Sequence, residues 1–128
     1  MDKFFINNYK GESMKTSQAE LIKSVFETML DTKGIVGLKI ARNLRMINEE
    51  LLEYNEKKLE IFRKYGREEN GQLIVDKDSE HYQDFINELK PYQDMEVSFD
   101  FKTFTDEELA ESGLNANQMM FLLDLKGE

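Results

Sequence analysis

Apolar side chains recur along the chain as Ile40, Leu44, Ile47, Leu51 and Tyr54, in steps of four, three, four and three. That is the heptad rhythm which keeps one stripe of an α-helix turned toward a partner. Carried further, it lands on Lys58, then on Ile61 and Tyr65, so one charged position falls near its end. Ala41, Leu52 and Phe62 lie alongside and widen the stripe beyond a strict two-helix seam. A single helix from about Ile35 to Tyr65 is expected, roughly 45 Å long at ~1.5 Å per residue. Such a length exceeds the diameter of a compact chain of this size. It has to pack on the chain's own helices or on a second copy. The seam Ile40, Leu44, Ile47, Leu51, Tyr54 and Ile61 is therefore expected to be a helix-packing or self-association surface, and the chain a homo-oligomer, dimer or higher.

The flanking sequence predicts shorter elements. Ser17 with Glu20 three residues on reads as a capping box, opening a helix through Leu21, Ile22, Val25, Phe26 and Met29. Lys33-Gly34 is expected to close it with a left-handed residue. Gly66 ends the long helix, Asn70-Gly71 gives a turn, and Gln72 to Val75 gives a short strand. Tyr82, Phe85, Ile86 and Leu89 predict a helix capped at Asp78 or Ser79 and stopped by Lys90-Pro91. Val97, Phe99 and Phe101 alternate with polar residues as a strand with one buried face. Thr105 with Glu108, and Asn115 with Gln118, open two last helices. The expected fold class is α+β, mostly helical, with a long central helix, shorter helices and a small antiparallel sheet. At 128 residues this is a single domain. Its parts are 1–14, a strand or a flexible arm, 15–66, a helical hairpin, and 67–128, an acidic α+β part.

Composition limits the chemistry. There is no Cys, which removes disulfides, thiolate metal sites and a Cys nucleophile. His81 is the sole imidazole, and no Gly-x-Ser-x-Gly elbow accompanies it, so the chain is expected to be no enzyme. Asp76-Lys77-Asp78-Ser79-Glu80 alternates oxygen ligands as a calcium loop does, but His81 stands at the sixth position and Asn87 at the twelfth. These acids are expected to favour the following helix's N-terminus instead, and neither metal nor cofactor is expected. No stretch has the run of ~18 apolar residues of a membrane span, and no signal peptide is read at the start.

Charge is the informative feature. The chain carries 17 Lys and Arg against 26 Asp and Glu, a net charge of −9, which makes free nucleic acid a poor partner. Residues 1–66 hold twelve basic and ten acidic side chains, and residues 67–128 hold five and sixteen. Lys33, Lys39, Arg42 and Arg45 fall in thirteen residues without an acid, and the last three step by three along the long helix. Near a helix N-terminus such a face suits an anion: a phosphate, a nucleotide or an acidic protein surface. It equally suits a solvated face that balances the acidic half. Gly34-Ile35-Val36-Gly37 would let a backbone approach closely there. The acidic half could in turn occupy the basic groove of another protein.

Three stretches occur in order: Gly37-Leu38-Lys39-Ile40-Ala41-Arg42-Asn43-Leu44-Arg45, then Phe62-Arg63-Lys64-Tyr65-Gly66 leading to Gly71-Gln72-Leu73-Ile74-Val75-Asp76, and finally Leu114-Asn115-Ala116-Asn117-Gln118-Met119-Met120-Phe121-Leu122-Leu123. In these the chain resembles a family of small uncharacterised proteins of tailed bacteriophages and prophages of Gram-positive bacteria, over about residues 20–125. The resemblance implies a phage setting, the host bacterial cytoplasm as workplace and an accessory or assembly role, and it brings no active-site residues. The expected function is a non-enzymatic phage accessory protein that blocks or sequesters a host defence component, which is either a protein with a basic groove or a phosphate-bearing nucleotide signal. The alternative is a virion assembly factor or chaperone of head–tail or tail morphogenesis.

Overall fold

A computed structural model describes residues 12–125, so residues 1–11 of the segment expected as strand or arm lie outside the described residues. Strand β1 (Glu12–Lys15) pairs antiparallel with β4 (Glu96–Phe99), with Met14 opposite Val97 and Lys15 opposite Glu96. Alternation buries Met14 between exposed Ser13 and Lys15, and it buries Phe99 beyond exposed Ser98. The pairing continues into helix α1 (Thr16–Glu27), where the Thr16 N–H and hydroxyl both donate to the Met95 carbonyl, at 2.8 and 3.0 Å. That anchor starts the helix at Thr16, not after Ser17 as the sequence suggests. The Lys15 N–H donates to Gln18 Oε1 instead, at 2.9 Å. Glu20, freed from capping, accepts from the Tyr54 hydroxyl at 2.8 Å and from Lys58 Nζ at 2.7 Å.

Helix α2 (Gly34–Glu50) follows, packed on α1. Gly34 does have a positive φ of 71°, but it opens α2; α1 has already ended at Glu27. The expected single helix over 35–65 is two, because Leu51 (φ −91°, ψ 2°) leaves helical geometry before α3 (Leu52–Tyr65). Backbone bonds from Leu51 N–H to Ile47 and from Asn55 N–H to Leu51 carry the chain across the break. No proline or glycine stands there, so packing sets the bend. Ile40, Ile47, Leu51 and Tyr54 belong to the main core, whereas Ile61 belongs to a second cluster with Phe85 and Leu89. A straight helix could not serve both.

Strands β2 (Arg67–Glu69) and β3 (Gln72–Ile74) form a hairpin whose turn, Asn70 (φ 53°) and Gly71 (φ 80°), has the double positive φ of a two-residue connection. Helix α4 (Tyr82–Gln93) packs on α3. It runs past the expected stop, since Pro91 in the last turn removes only one hydrogen bond. Helices α5 (Asp106–Ala110) and α6 (Ala116–Leu123) both open with the expected reciprocal caps. The fold is thus α+β and mostly helical, with six helices and two small antiparallel sheets among the described residues. None of the described helices is long and apolar enough to cross a membrane.

Candidate functional site

Helix α2 carries most of the residues singled out in the sequence, and the structure distributes them over three faces. The inner face buries Val36, Ile40, Asn43 and Ile47. The heptad seam is spent on the chain's own core: Ile40, Ile47, Leu51, Tyr54 and Ile61 are buried, and Leu44 is half-buried against them. Here the seam acts as a helix-packing surface within one chain.

The second face meets the acidic helix α5. Lys39 Nζ donates to both oxygens of Glu108, at 2.8 and 3.0 Å, and to the Thr103 carbonyl at 2.7 Å. It also lies 5.7 Å from the centroid of the Phe104 ring. Glu108 Oε1 accepts the Thr105 N–H at 3.0 Å as well, so one carboxylate caps α5 and ties it to α2. The Lys39 hydrogen bond comes first, and the Thr105 N–H second, in holding the Glu108 carboxyl below its usual range. One turn along, Asn43 reads the same extended segment: its Nδ2 donates to the Lys102 carbonyl at 3.0 Å and its Oδ1 accepts the Lys102 N–H at 2.7 Å. Asn43 stands inside the apolar stripe between Ile40 and Ile47, and that placement is the signal that could have marked it as a buried, hydrogen-bonded amide.

At the N-terminus of α2 is a cavity of about 310 Å³, lined by Lys33, Gly34, Ile35 and Val36 together with Glu107, Glu108, Glu111 and Ser112. The helix end that would attract an anion faces three carboxylates of its own chain. Gly37 does permit a close backbone approach, and the approaching group is the Thr32 carbonyl, whose oxygen lies 2.0 Å from where a Cβ would stand. Of the four basic residues, Lys33 lines this cavity and Lys39 is bound to α5. Steps of three turn back by about 60° each, so Lys39, Arg42 and Arg45 fan over roughly 120° of the helix without converging.

The third face is open. Arg42 and Arg45 are exposed, and Arg45 Nε donates to Glu49 at 3.2 Å. Beside them is a groove of about 430 Å³, lined by Leu30, Ala41, Leu44, Arg45, Asn48, Glu49 and Leu52. The sequence pattern gave no warning of it, since Leu52 read as part of the widened apolar stripe. Elsewhere, His81 sits on the surface within 3.4 Å of Glu80 and 3.5 Å of Asp84. Asp76 is held by Arg67, through Nε at 3.1 Å and Nη2 at 3.3 Å, which keeps its carboxyl below the usual range. A further cavity of about 330 Å³ lies among Tyr54, Tyr92, Glu50, Glu53 and Glu96. The arrangement leaves charged and apolar side chains exposed. Comparison with family models, curated proteins and solved structures gives no match for this chain.

Proposed function

We propose that this chain is a phage accessory protein of the bacterial cytoplasm that works without catalysis, binding a host defence protein through its acidic carboxyl-terminal half and blocking or sequestering it. The observation that favours a protein target over a phosphate-bearing nucleotide is the wall of the α2 N-terminal cavity. Glu107, Glu108 and Glu111 stand across the path of a phosphate, and Lys39 is engaged by Glu108 at 2.8 Å. Asp106 and Glu107 are exposed on α5 and Glu111 just past its end, in a half of the chain with sixteen acids against five bases. A basic groove on the target would gather them by an attraction that salt weakens.

The test is phage plating on bacterial strains that each carry one defined defence system, with and without this protein expressed. Restored plating on at least one strain is expected, with loss of the effect in the Glu107→Lys, Glu111→Lys double variant. No restoration across the panel, or a double variant as effective as the parent, defeats the reading. Recovery of the protein in purified virions would support the assembly alternative instead.

A further inference from the structure

We infer that the open face of α2 is the contact between two antiparallel copies of this chain. This inference stands apart from the proposed function, because it uses a different surface and needs no host component. That face lies beside the heptad seam and shares Leu44 with it; the rest of the seam is already covered by the chain's own core.

The open face has an order. Leu38 is 46% exposed near one end and Leu52 is 62% exposed just past the other, large values for side chains that gain by leaving water. Between them the charges run basic first, Arg42 and Arg45, and acidic after, Glu49. A parallel copy would set Arg42 against Arg42 and Glu49 against Glu49. An antiparallel copy, with the two-fold axis close to Arg45, inverts the order and leaves Arg45 beside the partner's Arg45, each neutralised by the Glu49 of its own helix at 3.2 Å. Leu38 then meets the partner's Leu52, Arg42 meets the partner's Glu49, and symmetry repeats each contact, as a self-complementary two-fold interface requires. Glu49 can accept both cations: Arg45 of its own helix holds Oε1 at 3.2 Å, and the other oxygen remains for the partner's Arg42. The groove of about 430 Å³ beside the face, with Leu30, Leu44 and Leu52 in its walls, takes the apolar end of the partner's helix. A purely acidic partner would satisfy Arg42 and be repelled by Glu49. A second copy satisfies both.

Sedimentation velocity over a wide concentration range tests this, with circular dichroism to confirm that each variant is folded. The parent should move from 15.1 kDa toward twice that mass as concentration rises. Leu52→Asp, at an exposed position, should stay folded and monomeric. Arg42→Glu and Glu49→Arg should each weaken association roughly tenfold, since each turns two attractive contacts into repulsive ones. Mixing the two single variants should restore a dimer, because only the mixed pair brings opposite charges together at both contacts. The chain carrying both substitutions should also dimerise. A parent that stays monomeric at every concentration, a dimer that ignores these substitutions, or single variants that fail to associate when mixed would each overturn the inference.

Discussion

At the scale of single residues, two polar side chains inside the core decide more than their numbers suggest. Asn43 offers the Lys102 backbone what a neighbouring strand would offer, one acceptor at 2.7 Å and one donor at 3.0 Å. Asn43→Ala deletes both bonds and leaves the Lys102 N–H and carbonyl without protein partners, so a loss of roughly 2–3 kcal/mol is expected in urea unfolding. A loss below about 0.5 kcal/mol would mean that water substitutes for the amide. Tyr54 is the second case. Burial first, and then the hydrogen bond to Glu20, hold its phenol well above the ordinary value of 10.0. The folded state therefore keeps a proton that the unfolded state releases as pH rises beyond 10.0, and stability must fall in that range. Tyr54→Phe should be the less stable protein at neutral pH and should lose less between there and high pH. Parallel pH profiles for the two proteins would remove Tyr54 from the account.

Elements were legible in the sequence where their chemistry is local, and illegible where a distant group sets it. Gly37 can be tested directly. An Ala there gains about 1 kcal/mol of intrinsic helix preference, but its Cβ would stand 2.0 Å from the Thr32 oxygen. The turn before α2 must move, so Gly37→Ala should be destabilising by about 1–3 kcal/mol; a stabilised variant would show that the turn yields freely. The reciprocal caps at Thr105 with Glu108 and at Asn115 with Gln118 could be read because both partners lie three residues apart. The start of α1 could not, since Thr16 is fixed by Met95, 79 positions away. Likewise the basic spacing on α2 was visible, but Glu108, 69 positions from Lys39, was not visible as its partner. The break at Leu51 has no breaker residue to announce it and follows from two cores that lie in different places. The Lys39–Glu108 tie gives an acid-side prediction. The Glu108 carboxyl is held below its usual 4.5, so the folded state binds fewer protons there, and the stabilisation is lost as pH falls below that value. Glu108→Gln should be less stable than the parent above pH 4.5 and converge with it below.

Over the whole molecule, apolar burial is divided unequally. The main cluster joins Met14, Phe26, Ile40, Ile47, Phe99, Phe101, Leu109 and Leu122, and so ties both ends of the described chain together. Among the described residues the second holds Ile61, Phe85 and Leu89, with Phe62, Tyr65, Val75, Tyr82 and Ile86 packed against it. Its centre is Phe85, whose ring lies 5.1 Å from that of Phe62, 6.2 Å from Tyr65 and 5.8 Å from Tyr82. Polar contacts reinforce it, with Lys64 and the Tyr65 hydroxyl both donating to Glu88 at 2.9 Å. Tyr92 packs against both clusters, and α3 runs from one to the other. A small cluster with few long-range supports opens at lower free energy than the body it is attached to. Hydrogen exchange should therefore show amides of residues 61–65 and 82–89 exchanging well before those of residues 36–47. Phe85→Ala, expected to cost about 3–5 kcal/mol within its own cluster, should speed exchange in the first two segments and leave 36–47 protected. Equal protection in all three segments, or collapse of residues 36–47 along with the others, would mean that the break at Leu51 transmits packing as fully as a continuous helix.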